Sequence, residues 1–208
     1  LGLPKKIKIS SASSQLASCA NNLKHCGSIL KMFENEAPKQ MAPPLSPLPG
    51  CLMWRKEAVY PEYLTDPTIL ICPTQEEKLQ QANGMEKPED KAKFCFDNSS
   101  YWYLGYAIPD EKTGLSFVEA YKKQAQANLG FEADLKDDEG FPILRLREGV
   151  ERAFITDIQN PAGAAMVQSE LPIFIERPGH HDDKVNVVFL DGHVEWPTYP
   201  GDFPVSKR

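Results

Sequence analysis

The chain has 208 residues, 41% hydrophobic and 25% charged, enough for one folded domain with a sizeable core, alone or with an appendage. A net charge of −6 argues against a general nucleic-acid binder, so no nucleic-acid partner is expected. No run reaches the ~18 apolar residues of a membrane-spanning helix, none forms a signal-peptide core, and eighteen prolines point to long loops between short elements.

Residues 12–35 read as a helix. Leu16, Cys19, Leu23, Cys26, Leu30 and Phe33 recur at alternating steps of three and four, which makes one apolar stripe. Asn21, Asn22 and Gly27 weaken the intrinsic propensity, so this helix depends on tertiary packing. Lys5, Lys6, Lys8, Lys24 and Lys31 all precede the first acid, Glu34. That basic start fits a solvated helix face or a position near anionic lipid headgroups. Residues 36–50 hold Pro38, Pro43, Pro44, Pro47 and Pro49 and predict an extended crossing linker.

The head begins at residue 51. A short strand is expected over 52–54, and a β-branched strand over 68–72, ended by Pro73. Residues 75–93 are charged and apolar-poor, an exposed loop with some helix. Residues 100–108 are aromatic-rich and strand-like. Ser116 with Glu119 forms a capping box for a helix through Leu129, with Leu115, Val118, Tyr121, Ala125 and Leu129 on its apolar face. An acidic loop follows over 131–140, then a short turn or helix over 145–152. A strand is expected over 153–158, a loop over 160–163 and a strand over 171–176.

The chain closes on Asn186-Val187-Val188-Phe189-Leu190-Asp191-Gly192-His193-Val194-Glu195-Trp196. Asp-Gly between two β-rich runs predicts a two-residue type I′ hairpin. Leu190 then pairs with His193, Phe189 with Val194, Val188 with Glu195 and Val187 with Trp196. Val187, Phe189, Val194 and Trp196 would face the core. Helix first, strands later and consecutive hairpins give an α+β class with a mostly antiparallel sheet.

His180, His181, Asp182, Asp183, Asp191, His193 and Glu195 form the densest group of ligand-type side chains in the sequence. Imidazole with carboxylate suits Zn²⁺ or another first-row metal. His181, Asp191 and His193 are the candidate ligands of a structural divalent metal. The alternative is that Asp191 serves the turn and His181 bonds loop backbone. Asp134, Asp137, Asp138 and Glu139 could hold Ca²⁺ through oxygens or form a solvated loop, and their spacing is not that of an EF-hand. Trp102 and Tyr103 could offer a stacking surface to a sugar or peptide, or pack in the core. The chain has no G-x-S-x-G elbow, P-loop or G-x-G-x-x-G, and its five cysteines form no CxxC pair. No catalytic residue is assigned.

His181, Asp191 and Gly192 fill an H-x(9)-D-G pattern, and in this the segment resembles the C-terminus of many prepilin-like, or pseudopilin-like, proteins of planctomycete, verrucomicrobial and lentisphaeral bacteria. Ser18-Cys19-Ala20-Asn21-Asn22-Leu23-Lys24 is similar to the segment after the hydrophobic N-terminal helix in those proteins. Pro61-Glu62-Tyr63-Leu64-Thr65-Asp66-Pro67 leading to Cys72-Pro73, and Ser100-Tyr101-Trp102-Tyr103, extend the resemblance over most of the chain.

The resemblance implies a pilin-like fold. Residues 1–35 would be the C-terminal half of the first helix, 36–50 the linker and 51–208 the head. It implies a non-enzymatic filament or type II secretion subunit in the cell envelope, periplasmic or extracellular. Partners would be other pilin or pseudopilin subunits, and the inner membrane through a helix upstream of Leu1-Gly2-Leu3-Pro4. No cofactor is expected apart from a structural divalent metal, should the histidine cluster bind one. An oxidising envelope would permit disulfides, with Cys72–Cys95 or Cys72–Cys19 as candidates, or leave buried free thiols. The competing readings are an envelope-anchored glycan- or peptide-binding module and, last, a metal-dependent hydrolase.

Overall fold

The computed structural model describes residues 5–207, with side-chain surroundings from residue 13 onward. The segment Leu1-Gly2-Leu3-Pro4, expected as a helix exit, lies outside the described residues, as do the side chains of Lys5, Lys6 and Lys8.

Helix α1 spans Lys5–Glu36. Its 32 residues extend about 48 Å at ~1.5 Å per residue. The expected stripe is the buried one: Cys19, Leu23, Cys26 and Leu30 are fully enclosed, Ile29 joins them, and Leu16 and Phe33 are partly covered. Tertiary burial therefore overrides the weak propensity of Asn21, Asn22 and Gly27. Gly27 faces the sheet, where an added Cβ would meet Val188 Cγ1 at 3.7 Å. The helix ends where Ala37 N donates to Phe33 O and Pro38 blocks another turn.

Positive φ at Lys39 (58°) and Gln40 (52°) then swings the chain back over the head. The proline-rich segment is not a free crossing loop. Ala42 N donates to Leu146 O, Leu45 bridges Trp54, and both Ala42 and Leu45 are buried in the same core as α1 and the head.

Helix α2 (Lys56–Val59) follows. The strand expected over 68–72 is instead a 3₁₀ turn over Pro67–Leu70. Pro67 opens it with its φ already set, and Asp66 caps it by accepting from Thr68 N and Thr68 Oγ1. Local capping here outweighs β-branching. The charged stretch after it is more ordered than expected, with α3 (Glu76–Asn83) and α4 (Pro88–Asp97). Ala92, Cys95 and Phe96 of α4 are buried, at helical spacing.

Strand β1 covers only Tyr101–Tyr103. Gly105, at φ +71°, breaks the longer strand expected, and a Cβ there would lie 2.9 Å from Leu45 Cγ. Helix α5 (Glu111–Gln126) starts before the expected capping box, because Asp110 accepts from Thr113 N and caps it first. Its buried face is Phe117, Ala120, Tyr121 and Ala125. Of the expected face, Tyr121 and Ala125 are buried, whereas Leu115, Val118 and Leu129 are 48%, 40% and 53% exposed and Phe117 and Ala120 take their place.

The acidic loop contains a small hairpin, β2 (Leu135–Lys136) with β3 (Pro142–Ile143). Residues 153–158 are not a strand. A 3₁₀ turn covers Val150–Phe154, and Ile158 is 90% exposed. Helix α6 (Gly163–Glu170) was not foreseen. It leads into β4 (Pro172–Glu176), β5 (Val187–Phe189) and β6 (Val194–Glu195).

The main sheet has the order β1-β4-β5-β6, antiparallel throughout, which makes the described fold α+β with a long N-terminal helix. Tyr103 pairs with Phe174, and Phe174 with Val188. These residues share the face toward α1, with Trp54 edge-on to Phe174. All three residues of β5 are buried, so both faces of the central sheet are covered.

The C-terminal hairpin corrects the expected register by one. Val187 pairs with Glu195 and Val188 with Val194. The loop holds three residues, Leu190-Asp191-Gly192, closed by Gly192 N to Phe189 O and Phe189 N to His193 O. Only Gly192 has positive φ (88°), so the connection is the three-residue kind with glycine at the bulge, not type I′. Trp196 is consequently 52% exposed instead of buried, while Val188 faces α1.

Candidate functional site

Four elements bring ligand-type side chains to one point under α1. Cys19 comes from the buried stripe of α1, and Cys72 from the segment after the Pro67–Leu70 turn. Glu176 ends β4, and His181 lies in the connection to β5. One donor atom from each lies within 4.8 Å of all the others. Cys19 Sγ donates to Glu176 Oε1 at 3.0 Å. The same oxygen is 3.2 Å from His181 Nε2, which is 3.3 Å from Cys72 Sγ.

The surroundings hold these groups in place. Asn186 gives both its backbone N and its Nδ2 to Glu176 Oε2, leaving Oε1 turned toward the cluster. His180 Nδ1 lies 3.3 Å from Oε1. Tyr101 Oη contacts Cys19 Sγ, and Thr74 Oγ1 contacts Cys72 Sγ, each at 3.1 Å. Cys19, Cys72 and Glu176 are fully buried, and the His181 side chain is 6% exposed.

Electrostatics divides the charges sharply. The Cys19 thiol beside Cys72 holds it down to about 4, against burial and with help from His180, His181 and Thr74. Burial, then the neighbouring Cys72 and Glu176, push the Cys19 thiol far up. Burial opposes charge on Glu176, yet bonds from His180, His181 and Cys19 hold it well below the usual carboxylate range. Burial also opposes charge on both imidazoles, but Cys72 and Glu176 raise His180 and His181 to about 9. Thiolate, imidazole and carboxylate gathered at one largely buried point form a donor set suited to a soft or borderline metal.

Around His181 the arrangement is not that of a nucleophile triad, while the neighbouring His180 approaches Glu176 through Nδ1 and also interacts with Cys72. Cys72 Sγ and Glu176 Oε1 both approach Nε2 of His181, whereas a triad uses the two ring nitrogens separately. The Cys72 sulfur is also enclosed, with no surface for a substrate to approach.

Of the expected ligands, only His181 belongs here. Asp191 and His193 lie at the other end of the β4–β5 ladder, where Leu190 N bonds Leu171 O. The five residue steps from Leu171 to Glu176 put them roughly 16 Å away at ~3.3 Å per residue. Asp191 Oδ1 accepts from His193 N and lies 2.6 Å from His193 Nδ1, while Glu195 approaches the opposite nitrogen at 3.4 Å. These carboxylates therefore do not converge with the imidazole on one ion. The His193 ring stacks on Phe189 at 4.5 Å, a structural contact.

The acidic loop weighed between calcium ligation and simple solvation is internally hydrogen-bonded. Asp134 accepts from Arg145 N and Arg147, Asp137 accepts from Glu139 N and Phe141 N, and Asp138 pairs with Lys123. Tyr103 is no stacking surface: it is fully buried, and its hydroxyl donates to Pro43 O. Trp102 is half-buried, with Arg177 5.8 Å over its ring. All five cysteines are free thiols. Cys95 lies in a separate small core with Ile71 and Ala82, which sets aside the Cys72–Cys95 pairing.

No family model, curated protein or solved structure matches this chain. Among the described residues, no helix is long and apolar enough to cross a membrane.

Proposed function

We propose that this chain is a non-enzymatic structural subunit, part of a prepilin-like or pseudopilin-like protein of the cell envelope. It would assemble with other subunits of a filament or secretion system through its N-terminal helix. The observation that carries this reading is the layout of α1. From Cys19 onward its apolar stripe is clamped on an antiparallel sheet, yet no residue from 13 to 18 is buried. Over this stretch Leu16 lines a surface groove with Thr74 and His181, while Ser14, Ala17 and Ser18 are exposed and available to pack against other helices. The long helix laid over a sheet is also the layout implied by the H-x(9)-D-G resemblance.

The reading asks for packing, not chemistry, and the enclosed Cys72 is consistent with that. The test is detergent-free fractionation of the source cells with an antibody against the head. Recovery with the envelope and in sheared surface filaments, together with copy-to-copy cross-links from Ala17→Cys on the exposed face of α1, is the expected result. A monomer confined to the cytoplasmic fraction, with no cross-links, would overturn the reading.

A further inference from the structure

We infer that Cys19, Cys72, Glu176 and His181 bind one Zn²⁺ ion as a closed four-ligand centre that staples α1 to the sheet. The inference stands on geometry and burial, and holds whether or not the chain assembles into a filament.

The spacing of the donors fits the ion. Zinc bonds of about 2.0 Å to nitrogen or oxygen and 2.3 Å to sulfur, arranged tetrahedrally, put neighbouring ligand atoms roughly 3.3–3.8 Å apart. Three successive contacts, Cys19–Glu176, Glu176–His181 and His181–Cys72, are 3.0, 3.2 and 3.3 Å. Tetrahedral ligation needs these three to open by a few tenths of an ångström, and the remaining pairs already lie within 4.8 Å. Two sulfurs with one imidazole also select zinc over magnesium or calcium, which prefer oxygen.

The outer contacts are those a metal centre uses. Asn186 fixes one carboxylate oxygen so that the other points inward, and Tyr101 and Thr74 hold the two sulfurs. His180 contacts the same inward oxygen from outside the four-ligand set. All four ligands come from the protein, and the site is enclosed, which points to a structural centre instead of a catalytic one.

A Cys19–Cys72 disulfide would account for the two sulfurs alone. It would leave Glu176 paired with His180, His181 and Asn186, but would give no role to the convergence of that carboxylate and the His181 ring nitrogen on the two sulfurs. Zinc uses the carboxylate and the imidazole as well. On binding, the ion takes the place of the protons held by the Cys19 thiol and the His181 ring nitrogen, and those protons leave to solvent.

The experiment uses the whole chain, reduced, chelator-washed, reloaded with Zn²⁺ or Co²⁺ and desalted. The expected result is one tightly held zinc per chain, and a Co²⁺ form with the strong visible and near-ultraviolet bands of tetrahedral thiolate ligation. Cys72→Ser should abolish both, and the double variant His180→Ala with His181→Ala should weaken retention at least tenfold. Asp191→Asn with His193→Ala should change neither. Because Cys72→Ser could fail to fold, alkylation of the wild-type protein in mild denaturant supplies a second readout: zinc should slow labelling of Cys19 and Cys72 relative to the metal-free protein, while Cys95, equally buried but outside the site, should be labelled alike in both. No retained metal and no protection would overturn the inference. So would a Cys19–Cys72 bridge in protein prepared without reductant whose reduced form takes up no zinc.

Discussion

Glu34 is 1% exposed on α1, with Oε2 accepting from Lys31 at 3.0 Å and Oε1 without a partner among the described residues. Burial raises its pKa above the ordinary 4.5; Lys31 opposes that, while Glu148 and Glu151, from the segment packed against the helix, add to it. The Tyr103 phenol on β1 also faces it. A carboxyl whose folded value lies above its unfolded one stabilises the fold fully below the unfolded value. That contribution is lost as pH rises through the folded value. Glu34→Gln is therefore expected to raise Tm near neutral pH, with the gain shrinking to nothing below pH 4.5, where the native carboxyl is protonated in both states. Thermal unfolding of both proteins across that range checks it, and an equal or lower Tm for the variant at neutral pH would refute it. At this scale the sequence is a poor guide to the site. Cys19 and Glu176 are 157 positions apart and Cys72 and His181 are 109 apart, so no local motif can show the cluster. His181 stood out by its neighbours, and Cys72 with Cys19 only as a candidate pair.

Helix α1 shows what periodicity does reveal, and Gly27 shows what it leaves out. The three-and-four spacing marked the buried stripe correctly, because a single helix face must meet a single sheet face. Gly27 read only as a weakness in that helix. In the fold it is buried against Val188, with room for a Cβ at 3.7 Å, an ordinary contact distance. Its φ is not in the left-handed region, so nothing in the backbone demands glycine. Gly27→Ala should stabilise the protein by roughly 0.5–1 kcal/mol through lower unfolded-state entropy and better helix propensity. Denaturant unfolding measures this, and a loss of stability would mean that α1 and β5 are already in contact too close to admit a methyl group. Other elements misled for local reasons. The Pro67–Leu70 turn is set by Asp66 and Pro67 over a β-branched run, and α5 starts early because Asp110 caps it. Asp191-Gly192 announced a hairpin, but the number of loop residues, which sets the register, lay in backbone angles that two letters do not encode.

The whole molecule depends on α1 because the sheet beneath it has few residues of its own. β1, β5 and β6 contribute three, three and two residues, too short to hold together without a covering layer. The α+β class was legible because the chain opens on one long helix-period stretch and closes on consecutive strand-like runs, even though α5 and α6 interrupt the strands between. The way residues 41–46 enter the core was not, since proline-rich sequence reads as surface. Leu23 lies in the clamped part of α1, fully buried in the core that joins α1, the crossing segment and the sheet. Leu23→Asp would put an unpaired carboxylate there and remove the apolar contacts, at a cost on the order of 3–5 kcal/mol. That is a large fraction of the ~5–15 kcal/mol that holds a typical domain. The expected outcome is a head that is unfolded or exposes its sheet, seen as loss of the cooperative thermal transition and as new binding of a hydrophobic dye. An exposed substitution on the same helix, Ser28→Asp, should leave unfolding near that of the parent, because Ser28 faces solvent. If Leu23→Asp unfolds at the parent temperature with the parent cooperativity, α1 is not the layer that closes the sheet.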